Sequence, residues 1–198
     1  MVAVLFARSD SVYKTIPGLD VYDAQRDART WPGGARVVAH PPCRGWGRLR
    51  QFAKPRHDEK DLALFAVDAV RAYGGVLEHP DASSLWAVAG LPRPRERDSF
   101  GGWTLPVSQK WWGHRCEKKT WLYICGIHPG AIPAFPITLG EASHVVGLWS
   151  GRDRSIARKS IGKAERESTP KPFAHWLVDL ASRCSTGFPE CDLVIRRT

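Results

Sequence analysis

The chain's strongest constraint is a construction it uses twice. Val37-Val38-Ala39 is an apolar run that stops at His40-Pro41-Pro42-Cys43, and Val76-Leu77 is a second that stops at Glu78-His79-Pro80. Prolines fix their own φ and hold the preceding residue extended, so each run reads as a buried strand with a hard stop. Between them Leu62, Phe65, Ala66, Ala69, Val70 and Tyr73 recur at three- and four-residue spacing, from a capping Asp58 to Gly74-Gly75. That is an amphipathic helix with start and stop signals. Strand, helix, strand is a parallel crossover unit. It brings Cys43 and Glu78 to one edge of one sheet.

The other elements extend the sheet. Ala3 to Phe6 and Leu19 to Tyr22 read as strands, with room between them for a short connector but no full helix. Ser83 to Ala89 reads as a short helix, Thr120 to Cys125 as a strand, and Phe173 to Arg183 as a helix with Phe173, Trp176, Leu177 and Leu180 on one face. The expected fold is α/β: a Rossmann-like, mostly parallel twisted sheet with flanking helices, the first helix shortened or absent. One domain is expected over residues 1–198, with a basic loop or extension around 150–167.

Composition bears on partners. A formal net charge of +9 favours a polyanion, nucleic acid first. Arg48 and Arg50 beside the Pro-Pro-Cys turn, and Arg152, Arg154, Arg158 and Lys159 in the later basic stretch, are the candidate phosphate contacts. Trp111-Trp112 reads as core or as a stacking platform for bases. No apolar run approaches the roughly 18 residues of a membrane span, and Met1 to Arg8 is too short, and lacks the basic start, for a signal peptide. Five cysteines, an odd count without a C-x-x-C pair, fit a reduced cytoplasmic compartment. His40-x-x-Cys43 with His114-x-Cys116 could offer zinc four ligands, but the spacings are not those of a standard site, and no metal is expected.

A cysteine and a glutamate at neighbouring strand ends make a usable chemical pair. A thiolate adds to C6 of a pyrimidine, and a carboxyl group protonates or hydrogen-bonds N3 as charge builds there. Arg44, Arg48 or Lys118 would lower the thiol's pKa. Burial beside Pro80 would raise that of Glu78 and favour its protonation at the step that needs it.

In these motifs the chain resembles the DNA (cytosine-5) methyltransferases, especially small divergent members of the kind found in phages. Pro41-Pro42-Cys43 matches the family's nucleophile loop, and Glu78-His79-Pro80 its cytosine-binding acid with His in place of Asn. Trp112-Gly113-His114 through Lys118, Thr120 and Leu122 resembles the basic strand that holds the flipped base and the backbone, and Glu167-Ser168-Thr169-Pro170 the start of the last helix. The four segments keep the family's order over residues 37 to 180. The resemblance implies Cys43 as nucleophile, Glu78 as the acid on the ring and Lys118 with Arg44 as charge partners. It implies substrate contacts from His40, Arg44, His79, His114 and Thr120, with His79 bonded to the Cys43 loop. It also implies S-adenosylmethionine as methyl donor, held by Phe6, Asp23 and Asp27. The family's glycine turn after strand one is not repeated, because Phe6-Ala7-Arg8-Ser9-Asp10-Ser11 contains no glycine.

Three functions therefore stand open: a cytosine-5 methyltransferase-like enzyme acting on DNA, a pyrimidine- or nucleotide-modifying enzyme with the same base pocket and no adenosylmethionine, and a non-catalytic DNA-binding relative.

Overall fold

The computed structural model describes residues 1–48, 50–146 and 158–185, so Arg152 and Arg154 lie outside the described residues. Strands β1 (Val2–Leu5), β2 (Leu19–Val21), β3 (Arg36–Ala39) and β4 (Gly75–Pro80) are mutually parallel. β5 (Trp103–Ser108) continues to the outer edge, and β6 (Lys119–Cys125) returns antiparallel between β4 and β5. The order is β2-β1-β3-β4-β6-β5, a mostly parallel mixed sheet of six strands. The strand over Thr120–Cys125 is thus present but reversed. β4 also runs past Leu77, so Glu78 is paired within the sheet, opposite Leu122, rather than lying beyond a strand end.

Strands buried on both faces split their side chains by the period of two. Ala3, Leu5, Val37, Ala39 and Leu77 face helix α1 (Glu59–Tyr73), whose Ala63, Ala66, Val67 and Val70 complete that half of the core. Val2, Val4, Val38, Val76, Leu122 and Ile124 face the opposite way. Only a short 3₁₀ turn, Val12–Thr15, separates β1 from β2, so no helix from that connection covers this second face. The C-terminal helix α4 (Lys171–Arg183) covers it instead, inserting Phe173, Leu177 and Leu180, all fully buried. Each such side chain stabilises the fold by about 1.5–3 kcal/mol on burial.

The start of β4 needs glycine. Gly75 has φ +127°, and a Cβ there would stand 2.0 Å from the Val37 carbonyl oxygen. β3 and β4 approach so closely that any side chain would push them apart.

Shorter elements finish the fold: α2 (Leu85–Val88), the strand pair β7 (His144–Val145) and β8 (Lys159–Ser160), and α3 (Lys163–Glu167). Of the expected basic extension, residues 158–167 are among the described residues and carry β8 and α3. Trp112 is buried against Phe173 and Trp176, and Trp111 stacks on Phe135, which places the tryptophan pair in the core rather than on a platform for bases. No helix among the described residues is long and apolar enough to cross a membrane.

Candidate active site

The strand order reverses direction between β1 and β3, and in open α/β sheets ligands sit in the crevice beyond the strands' carboxyl ends at such a point. At that edge β3 delivers His40 and then, past Pro41 and Pro42, the exposed residue Cys43. Alternation along β4 puts Glu78 on the face of Val76, with α4 and Tyr13, and His79 on the other face, towards Trp86. Thr120, two residues before Leu122 on β6, shares the face of Glu78 and is its diagonal neighbour.

Four groups hold the Glu78 carboxylate. His40 Nδ1 meets Oε2 at 2.9 Å. Gln109 Nε2 donates to Oε1 at 3.0 Å, and the Thr120 hydroxyl lies 3.3 Å from the same oxygen. Lys118 adds its positive charge. Burial would raise the pKa of Glu78, as the sequence led us to expect. At the low pH where Glu78 titrates, the hydrogen bond and positive charge of His40, with the charges of Lys118 and His79, outweigh it and hold the group down at about 2. Glu78 is therefore an anion at rest, and the expected upward shift is corrected: a polar collar, not an apolar wall, surrounds the carboxyl.

Cys43 is corrected in the opposite sense. Although the residue is exposed, enough protein surrounds its sulfur that desolvation leads, and the Glu78 charge adds to it. Together they raise the thiol's pKa above its ordinary value, against the opposing pull of Lys118. Arg44 does not serve this thiol, because its guanidinium is paired with the buried carboxylate of Glu59. Neither Arg44 nor Arg48 figures among the charges acting on Cys43.

Lys118 itself is desolvated, which lowers its pKa, while Glu78, Cys43 and Glu167 pull the other way. Its ammonium donates to the Ser168 carbonyl at 2.7 Å. Its backbone has φ +32° and that of Phe6 φ +63°, both in the region that non-glycine residues avoid. Strained backbone of this kind persists where the surroundings over-determine it, commonly at functional sites.

Two expected substrate contacts are misplaced. His79 is fully buried on the α1 face, and burial lowers its pKa to about 4. The ring faces the Pro42 carbonyl of the Cys43 loop, the contact expected of it, and that carbonyl pulls the pKa up against burial, although neither nitrogen reaches a partner in full hydrogen-bonding geometry. His114 is buried too, its nitrogens facing the backbone of Cys116 and the Glu165 carbonyl. With His40 held by Tyr13 and Glu78, the sequence-based zinc set does not assemble. No group of three metal-type ligands occurs among the described residues.

Phe6, Asp23 and Asp27 do meet, lining a cavity of about 240 Å³ with Pro42, Arg44 and Glu59. Its place suits a nucleoside-bearing donor, but its acids do not. Asp23 accepts from the backbone amides of Gln25 and Arg26 through one oxygen and from Lys14 through the other. Both Asp27 oxygens are taken by Arg29. Without a glycine turn or a free carboxylate, these residues do not fit adenosylmethionine as the resemblance implies.

Of the basic residues, Arg48 and Arg50 are exposed in the loop beyond Cys43. Arg158 is paired with Glu141, and Lys159 is exposed on β8. No local signal in the chain pointed to Gln109 or Tyr13. Neither belongs to a motif, and only the turn after β5 and the turn after β1 bring them to Glu78 and His40. Comparison with protein-family models, with curated proteins and with solved structures finds no match for this chain.

Proposed function

We propose that the protein modifies a pyrimidine base through a covalent bond from Cys43 to ring carbon C6. The carrying observation is the Cys43–Glu78 pair: a thiol in the field of a carboxylate fixed by His40, Gln109 and Thr120. The reading also rests on the resemblance of these motifs to the cytosine-5 methyltransferases.

The step balances without an outside acid. Cys43 Sγ bonds to C6 and its S–H bond breaks. The thiol proton is taken up by Glu78 and passed to N3, and the C5=C6 electron pair shifts into the ring. C6 is then saturated, the pair lies between C4 and C5, and the N3–C4=C5 enamine so formed is nucleophilic at C5. A resting state of neutral thiol beside carboxylate suits this exchange, since one proton serves both groups. Lys118 stabilises the anionic side of the pair. The proposed substrate is a base in a nucleic-acid strand, unpaired or flipped out. The net charge of +9 and the exposed Arg48 and Arg50 beside Cys43 favour a strand over a free nucleotide.

The test uses a single-stranded oligonucleotide bearing a pyrimidin-2-one, whose C6 is more electrophilic for want of the 4-amino group. Intact-mass spectrometry is expected to show one oligonucleotide bound per chain, attached at Cys43 and lost in Cys43→Ser. No adduct with this probe, on a strand or as the free nucleoside, would remove the reading. An adduct with the nucleoside alone would remove the strand.

A further inference from the structure

Tyr13 is almost wholly buried beneath the sheet edge, and its hydroxyl lies 2.8 Å from His40 Nε2. The other ring nitrogen, Nδ1, lies 2.9 Å from Glu78. The three side chains come from the turn after β1, the end of β3 and the middle of β4. An ionised carboxylate can only accept, so Nδ1 carries the hydrogen that faces it. In the neutral ring Nε2 is then an acceptor, and the Tyr13 hydroxyl donates to it. Burial and the Glu78 charge push the Tyr13 phenol well above its ordinary pKa, so it keeps its proton and is no proton source.

We infer that Tyr13 and His40 are positioning residues for Glu78: the buried phenol fixes the tautomer and tilt of the imidazole, and the imidazole fixes one carboxylate oxygen while Gln109 and Thr120 fix the other. The carboxylate then meets the substrate ring in one orientation. This rests on the reading of Glu78 as the carboxyl group that contacts the ring. The line ends at Tyr13, so no proton crosses it; its effect is on where Glu78 points and how readily Glu78 is protonated. The groups facing Glu78 from each packed element are His40 after β3, Lys118 in the turn before β6, Cys43 in the loop and Tyr13 after β1, with His79 on its own strand. Arg8 and Glu167 act one step further out, on Lys118.

The experiment follows the Glu78 carboxyl directly by carbon NMR in the full chain with labelled glutamate side chains, its resonance assigned by loss in Glu78→Gln. In the wild type it is expected to stay ionised down to pH 3.5. In His40→Ala the midpoint is expected to rise into the measured window, by about one pH unit or more. His40→Asn, which restores an N–H near Nδ1, is expected to recover part of that. Tyr13→Phe is expected to raise the midpoint less than His40→Ala does, and to add nothing in the His40→Ala background, because it acts through the imidazole. Adduct formation with the pyrimidin-2-one strand is expected to slow about tenfold or more in His40→Ala.

An unmoved Glu78 midpoint in His40→Ala, or a Tyr13→Phe effect that persists without His40, overturns the inference. So does loss of adduct in His40→Ala with an unchanged Glu78 titration. If the expected hierarchy of midpoints appears and the wild type forms no adduct, the positioning stands and the substrate reading falls. Tyr13→Phe keeps the packing of the ring, and equal melting temperatures for it and the wild type exclude unfolding as the cause.

Discussion

His79 makes a sharp energetic prediction. It sits fully buried on the α1 face, neutral, with its pKa lowered to about 4 from an ordinary 6.5. The folded form therefore refuses a proton that the unfolded chain takes up. Stability follows proton binding: where the unfolded state binds more, stability falls as pH falls. For His79 that window runs from about 6.5 down to about 4, and below it the loss is complete. One pKa unit is about 1.4 kcal/mol, so this residue is expected to remove on the order of 1 kcal/mol at pH 5.5 and about 2 to 3 kcal/mol at pH 4.5. The perturbation is His79→Leu, close in volume and unable to take a proton. Urea unfolding at pH 7.5, 5.5 and 4.5 gives the stability of both proteins. The test is the difference in slope, since the absolute stability at pH 7.5 also includes packing changes. The wild type is expected to lose those amounts beyond whatever the variant loses. Parallel loss in the two proteins across the range would refute a buried, neutral His79.

Glu78→Gln is expected to lower the pH midpoint for alkylation of Cys43 by iodoacetamide, because the carboxylate charge raises that thiol, while Lys118→Met is expected to raise it. The same Glu78→Gln protein is expected to form no pyrimidin-2-one adduct despite its more readily ionised thiol, which separates thiol reactivity from proton delivery. Gly75→Ala is expected to unfold the protein or to cost several kcal/mol, well beyond the roughly 1 kcal/mol of a typical point mutation. The added Cβ meets the Val37 carbonyl at 2.0 Å; circular dichroism melting of the two proteins measures the loss.

The sequence by itself determined the crossover unit. Pro41, Pro42 and Pro80 mark strand ends through the φ they impose, Gly74 and Gly75 mark a helix stop, and the spacing from Leu62 to Tyr73 leaves one face for the sheet. These are local signals, so they are legible without knowing what lies across the fold. The same signals placed Cys43 and Glu78 at one edge. The sideways position of His79 was equally legible, because period-two alternation separates it from Glu78; the motif match obscured that.

The tertiary structure decided what no local signal carries. Strand direction depends on where a chain returns, so β6 came back antiparallel, put Thr120 beside Glu78 and, by pairing with β5, held there the turn after β5 that carries Gln109. The missing first helix left a bare face, and α4, far along the chain, filled it. Ionisation was decided there too. Burial alone predicts a protonated Glu78 and nearby arginines alone an ionised Cys43, and both expectations invert once partners are counted. His40, Gln109 and Thr120 hold Glu78 as an anion, and Glu59 takes Arg44 away from the thiol. The sign of the Glu78 shift is set by side chains and that of the Cys43 shift by burial and the Glu78 charge, all of which only folding supplies, which is why residue type and spacing could name this pair but not its charge.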